Sequence, residues 1–134
     1  MTFQSIIVHV DDGPSSEARI RSAVGIARRF ESRLVAMFAP AMPQVSVDIR
    51  QLAPADIAKL TQARETREAN QALLRSCAAD AGLRHVEMRV VAGEDLDDAV
   101  AQSRCADLTI LGQPEPGADH AALTRRLAEN VVLD

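Results

Sequence analysis

"IIVHVDDGPSSEARIRSAVGIARRFESRLVAMFA", residues 6–39, runs strand, turn, helix, strand, and this order of elements decides the fold. "SIIVHV" (Ser5–Val10) is a short run rich in β-branched residues, as in a strand buried on both faces. "DDGPSS" stops it with turn chemistry and supplies an N-cap. From Ser16 to Phe30, the residues Ile20, Ala23, Ala27 and Phe30 share one helical stripe. Arg19, Arg21, Arg28 and Arg29 fall largely off that stripe. "RLVAMFA" (Arg33–Ala39) is a second buried strand, ended by Pro40 and Pro43.

The same alternation continues. A long helix is expected from Ala55 to Ala81, closed by Gly82. Its middle, "TQARETREAN", is polar nearly all round and reads as a solvated face. "HVEMRVV" (His85–Val91) is a third strand, "EDLDDAVAQSR" a short helix with carboxylates in its first turn, and "DLTIL" (Asp107–Leu111) a fourth strand. A last helix carries Leu123, Leu127 and Val131 at i, i+4 and i+8. Strands alternating with helices predict a parallel sheet wrapped by helices through right-handed crossovers. Ligands of such sheets sit beyond the carboxyl ends of the strands, at the switch point. The candidate site is therefore built from "DDGPSS", "APAMP", "AGED" and "GQPEPG".

Composition narrows the function. The chain of 134 residues fits one domain, and its net charge of −4, with no basic run, argues against a nucleic-acid footprint. Phe3, Phe30 and Phe38 are its only aromatics, so a base-stacking platform is not expected. No stretch reads as a signal peptide or a spanning helix, which points to a cytoplasmic protein away from membranes. Cys77 and Cys105 form no C-x-x-C pair and read as reduced, buried thiols.

Four chemistries fail on spacing. Asp11–Asp12 suits the acidic pair of a phosphoacceptor receiver, but Glu94 and Asp95 come too late after strand three, and the only lysine, Lys59, lies on the long helix. "GEDLDD" lacks the spacing and the distal Glu of a calcium loop. His9, His85 and His120 have no metal-ligand spacing, and His9 reads as a satisfied interior histidine. No serine sits in a G-x-S-x-G elbow. No catalytic residue and no metal site are expected.

Residues 6–39 resemble the opening of the universal stress protein family. "VVAGEDLDDAVAQSRCADLTILG" (Val90–Gly112) resembles that family's later segment of a glycine, a helix, an Ala-Asp pair, a strand and a glycine. The resemblance implies a Rossmann-like parallel sheet in the order 3-2-1-4-5. An ATP-binding subgroup of the family carries G-x2-G-x9-G-[ST], whose backbone amides approach phosphate. Laid on this chain, the first glycine is Gly112, following Leu111, and the second falls on Glu115. The third glycine and the hydroxyl fall on Arg125 and Arg126. Glu115 places a carboxylate where a triphosphate must lie, and Pro114 and Pro116 remove two amide donors. The nucleoside-side Asp of the family matches Asp11, and the adenine-side backbone matches Ala39.

These residues imply a stress-associated regulatory or interaction domain that is not an enzyme, forms a homodimer and contacts an unknown protein partner. No cofactor is expected, or weak ATP or other adenine nucleotide at Asp11, Ala39, Leu111, Gly112, Arg125 and Arg126; the alternative is a nucleotide-binding regulator with an altered phosphate loop. The chain stops at "VVLD", before the family's fifth strand. The strand edge at Leu108–Leu111 is then expected to pair with a second copy, or to be covered by a tail beyond Asp134.

Overall fold

A computed structural model describes residues 3–11, 13–38, 53–91 and 96–112. Its elements follow the expected order: β1 (Ser5–Val10), α1 (Ser16–Phe30), β2 (Arg33–Phe38), α2 (Pro54–Ala81), β3 (Val86–Val90), α3 (Leu96–Cys105) and β4 (Leu108–Ile110). The strands form one sheet in the order β3-β2-β1-β4. Every pairing is parallel, with Val8 beside Ala36 on one side and Ile110 on the other, and Ala36 beside Met88. The expected last helix, the loops "APAMP" and "AGED", and the loop "GQPEPG" beyond Gly112 lie outside the described residues.

The β-branched run of β1 is central because both its faces are covered. Ile6, Val8 and Val10 pack with Leu34, Ala36 and Phe38 under Ile20, Ala23, Val24 and Ala27 of α1 and Leu74 of α2. Ile7, Val35 and Met37 point to the opposite face, against Ala99 and Val100 of α3. β3 lies at one end of the sheet, and there Val90 is 44% exposed.

The helices end as their residues dictate. Gly82 takes φ 69°, and Leu83 N donates to Ala78 O at 3.0 Å, the expected left-handed cap of α2. α1 closes in the same way around Glu31, at φ 52°, with Ser32 N donating to Ala27 O at 2.9 Å. Glu31 adopts a conformation that favours glycine, which its sequence does not announce. Along α2 the polar stretch is largely solvated, as expected, and Asn70 at its end is buried.

Several side chains sit elsewhere than their spacing suggested. Phe30 is half-buried on the rim, edge-on to Phe3 with ring centroids 5.0 Å apart. Cys105 is exposed and Cys77 half-buried, so the thiols are not a buried pair. Arg19, which falls off the apolar stripe of α1, is buried.

Candidate functional site

Strand order 3-2-1-4 puts the switch point between the carboxyl ends of β1 and β4. Asp11 leaves β1 there, and Leu111 and Gly112 leave β4. The structure thus brings together three of the six residues the sequence assigned to a ligand. Ala39, Arg125 and Arg126 lie outside the described residues, as do Glu115 and the two flanking prolines.

Asp11 is 7% exposed and faces its own turn. Its Oδ1 accepts from Gly13 N at 2.8 Å, an Asx-turn that reverses the chain into α1. The Ser16 hydroxyl lies 2.9 Å from Oδ1 and 2.8 Å from the Asp11 carbonyl oxygen, and accepts from Asp11 N at 3.1 Å. Asn70 of α2 reaches the same carbonyl at 3.4 Å. The expected N-cap is therefore not a capping hydroxyl: Ser15 holds the N-cap position without a side-chain cap bond. Its Oγ accepts from Arg19 Nη2 at 3.0 Å instead.

Arg19 is the site residue that sequence spacing missed. α1 starts directly over the end of β1, so a side chain one turn in reaches back across the strand ends. Its Nη1 donates to His9 O at 2.6 Å and lies 3.9 Å from Asp11 Oδ2. Gly112 backs onto the same guanidinium: a Cβ built there would fall 2.8 Å from Arg19 Nη1. A cation on the first turn of a helix that follows a strand ending in Asp was the available signal, since such a carboxylate stands within reach of it.

His9 points to the α3 side. Its Nε2 lies 2.8 Å from Ser103 Oγ, whose own proton goes to Ala99 O at 2.8 Å. Ser103 Oγ thus accepts, and His9 carries its proton on Nε2. Among the described residues, Nδ1 has no partner, so this histidine is half satisfied rather than satisfied. Burial pushes its pKa from 6.5 down to about 4, and the Arg19 cation acts in the same direction. The ring is neutral at pH 7.

Among the described residues, no group of His, Cys, Asp and Glu side chains could hold a metal ion, and no helix is long and apolar enough to cross a membrane. A cavity of about 570 Å³ lies at the opposite end of the sheet, between Arg28, Glu31, Gly82 and Arg84.

A parallel sheet with helices on both faces, an Asp ending its central strand and a glycine ending the strand across the switch point define an open, Rossmann-like α/β protein. The sequence pattern of the universal stress protein family matches residues 2–133, and the chain belongs to that family. Solved relatives share the fold. A universal stress protein in complex with cAMP is 22% identical over 99% of this chain and 90% of its own, with a TM-score of 0.55. A universal stress protein from Lactobacillus plantarum is 17% identical over 98% and 94%, with a TM-score of 0.61. One from Archaeoglobus fulgidus is 20% identical over 99% and 88%, with a TM-score of 0.54. No curated protein sequence matches.

Proposed function

We propose that this chain is a stress-associated regulatory domain, a single unit spanning residues 1–134, that works through self-association and protein contacts and binds ATP weakly or not at all. The observation that carries this reading is the phosphate loop. Gly112 keeps the first signature position, with Glu115, Arg125 and Arg126 in the three later ones; a register shifted to use Gly117 still lacks the downstream Gly-Ser. A carboxylate repels the triphosphate that a glycine would admit, and two flanking prolines offer no amide protons. We assign it no catalytic residue and place it in the cytoplasm.

Calorimetry with Mg-ATP tests the loop, and the expected result is no binding at ordinary ligand concentrations. A dissociation constant of about 10 µM or tighter, some −7 kcal/mol, overturns it.

Self-association is proposed through β4, which among the described residues has one strand neighbour, β1. Unpaired amides and carbonyls on such an edge invite a second copy. Sedimentation over a dilution series should give a dimer; a stable monomer at micromolar concentration overturns this part.

A second reading, a nucleotide-binding regulator with an altered loop, is favoured by one observation. A relative of the same fold is described in complex with cAMP, a nucleotide without a triphosphate. Such a ligand does not need the part of the loop that Glu115 disrupts, and cAMP belongs in the same calorimetric series.

A further inference from the structure

We infer that Arg19 is the specificity-determining residue of the switch-point crevice: its guanidinium occupies, from inside the chain, the space a nucleoside would need between Asp11 and Gly112. The inference rests on the reading of this crevice as the family's nucleotide site, and it gives weak binding a cause independent of the phosphate loop.

Two separate observations converge on the one side chain. The first concerns the carboxylate. Asp11 Oδ1 is taken by Gly13 N and the Ser16 hydroxyl, and Oδ2 faces Arg19 Nη1 at 3.9 Å. Each oxygen has a partner in the segment from Gly13 to Arg19, and the group is 7% exposed. A ligand hydroxyl or amine seeking Asp11 must displace a buried cation from its counter-charge, a costly exchange in a site of low dielectric.

The second concerns the glycine. The space that a side chain at position 112 would fill is filled by the Arg19 guanidinium. The far end of an arginine normally yields at little cost, but this one is moored. Nη1 donates to His9 O at 2.6 Å, Nη2 donates to Ser15 Oγ at 3.0 Å, and the residue is 9% exposed. Gly112 therefore accommodates a side chain of its own protein. A backbone that lacks a Cβ so that a ligand can approach is here approached by Arg19.

The experiment measures adenosine and Mg-ATP binding by calorimetry to the full chain and to Arg19→Ala. Adenosine is included because it carries no phosphate, so loss of a cation does not penalise it. Adenosine should bind Arg19→Ala roughly tenfold or more tightly than the unmodified chain, the scale of one relieved unfavourable contact. Mg-ATP should move in the same direction by a smaller factor. Unchanged or weaker adenosine binding to Arg19→Ala overturns the inference and leaves the degenerate-loop reading standing. Tight Mg-ATP binding to the unmodified chain overturns the loop reading; if adenosine still tightens on Arg19→Ala, the inference survives it.

Gly112→Ala keeps the proposal open to refutation even if Arg19→Ala folds poorly. The added methyl must evict the guanidinium, so the urea midpoint should fall clearly. Where Arg19→Ala does fold, the same methyl should cost far less in its background, a coupling that a double-mutant cycle reads directly. An unchanged midpoint for Gly112→Ala in the natural chain shows that the guanidinium is not seated there and overturns the inference.

Discussion

α1 carries arginines at both of its ends, and the two ends use them oppositely. At the carboxyl end of the sheet, Arg19 is 9% exposed and tied to β1 and to the turn before its own helix. At the amino end, Arg28 is exposed and lines an open cavity with Glu31, Gly82 and Arg84. The difference lies in what the chain does next to each. Before Arg19 the backbone turns tightly off a central strand, bringing the Asp11 carboxylate and the His9 carbonyl within its reach. After Arg28 the helix ends in a left-handed cap that already satisfies its carbonyls, with Glu31 N donating to Arg28 O and Ser32 N to Ala27 O. A cation there does no more than complement the helix dipole. The cavity at the amino end is thus the less informative one: its arginines, Arg28 and Arg84, are exposed, whereas the crevice is filled.

The largest expected effect separates those two arginines directly. Arg19→Ala removes the buried counter-charge of Asp11 and the donor to the His9 carbonyl, and should cost about 4 kcal/mol. Arg28→Ala should change stability by no more than about 0.5 kcal/mol. Urea unfolding of both variants measures the contrast; equal losses would erase the distinction between the two ends.

Next comes the response to acid, which the carboxyl end should dominate through His9. The unfolded chain protonates this ring near pH 6.5, whereas the folded chain resists until about pH 4. The unfolded state therefore binds the extra proton inside that window, and stability falls as pH drops through it. The group's full contribution is about 3 kcal/mol at most, present above pH 6.5 and lost once pH reaches about 4. His9→Gln keeps a polar partner for Ser103 without the titration. Its stability should be flatter between pH 6.5 and 4 than that of the unmodified chain, measured by urea unfolding at each pH.

The smallest effect belongs to the amino end. Glu31 holds φ 52° in the cap of α1. Glu31→Gly relieves the left-handed strain, offset by the freer unfolded chain, and should raise stability by about 0.5–1 kcal/mol. A shift of the thermal midpoint upward checks it, and a decrease would mean that the Glu31 side chain contributes more than its backbone costs.

Much of the fold was legible in short runs bounded by turn residues. "SIIVHV" before "DDGPSS" could be little other than a strand, and Gly82 after a long helical pattern marked its end to the residue. Pro54 shows how a boundary shifts: a proline fits the first turn of a helix, so α2 begins one residue before the expected Ala55. The site was less legible. Asp11 and Gly112 were found as strand-end residues, but Arg19 was passed over because periodicity sorts side chains by angle around a helix axis. It does not register that the first turn of a helix overhangs the strand before it. Ser103 was missed as the partner of His9, since the two lie 94 residues apart and meet only when α3 covers the sheet.

The sequence by itself determined the alternation of strands and helices, the parallel sheet and the family, because these follow from local runs of apolar residues and the turns between them. It also determined that the phosphate signature is broken, since a missing glycine is read directly. Only the tertiary structure decided where the charges of the crevice go. Which carboxylate, carbonyl or glycine an arginine meets depends on the separation of chain ends that folding brings together. Arg19 reaches Gly112 across 93 positions of the chain, a contact set by the pairing of β1 with β4 and by nothing in either segment alone.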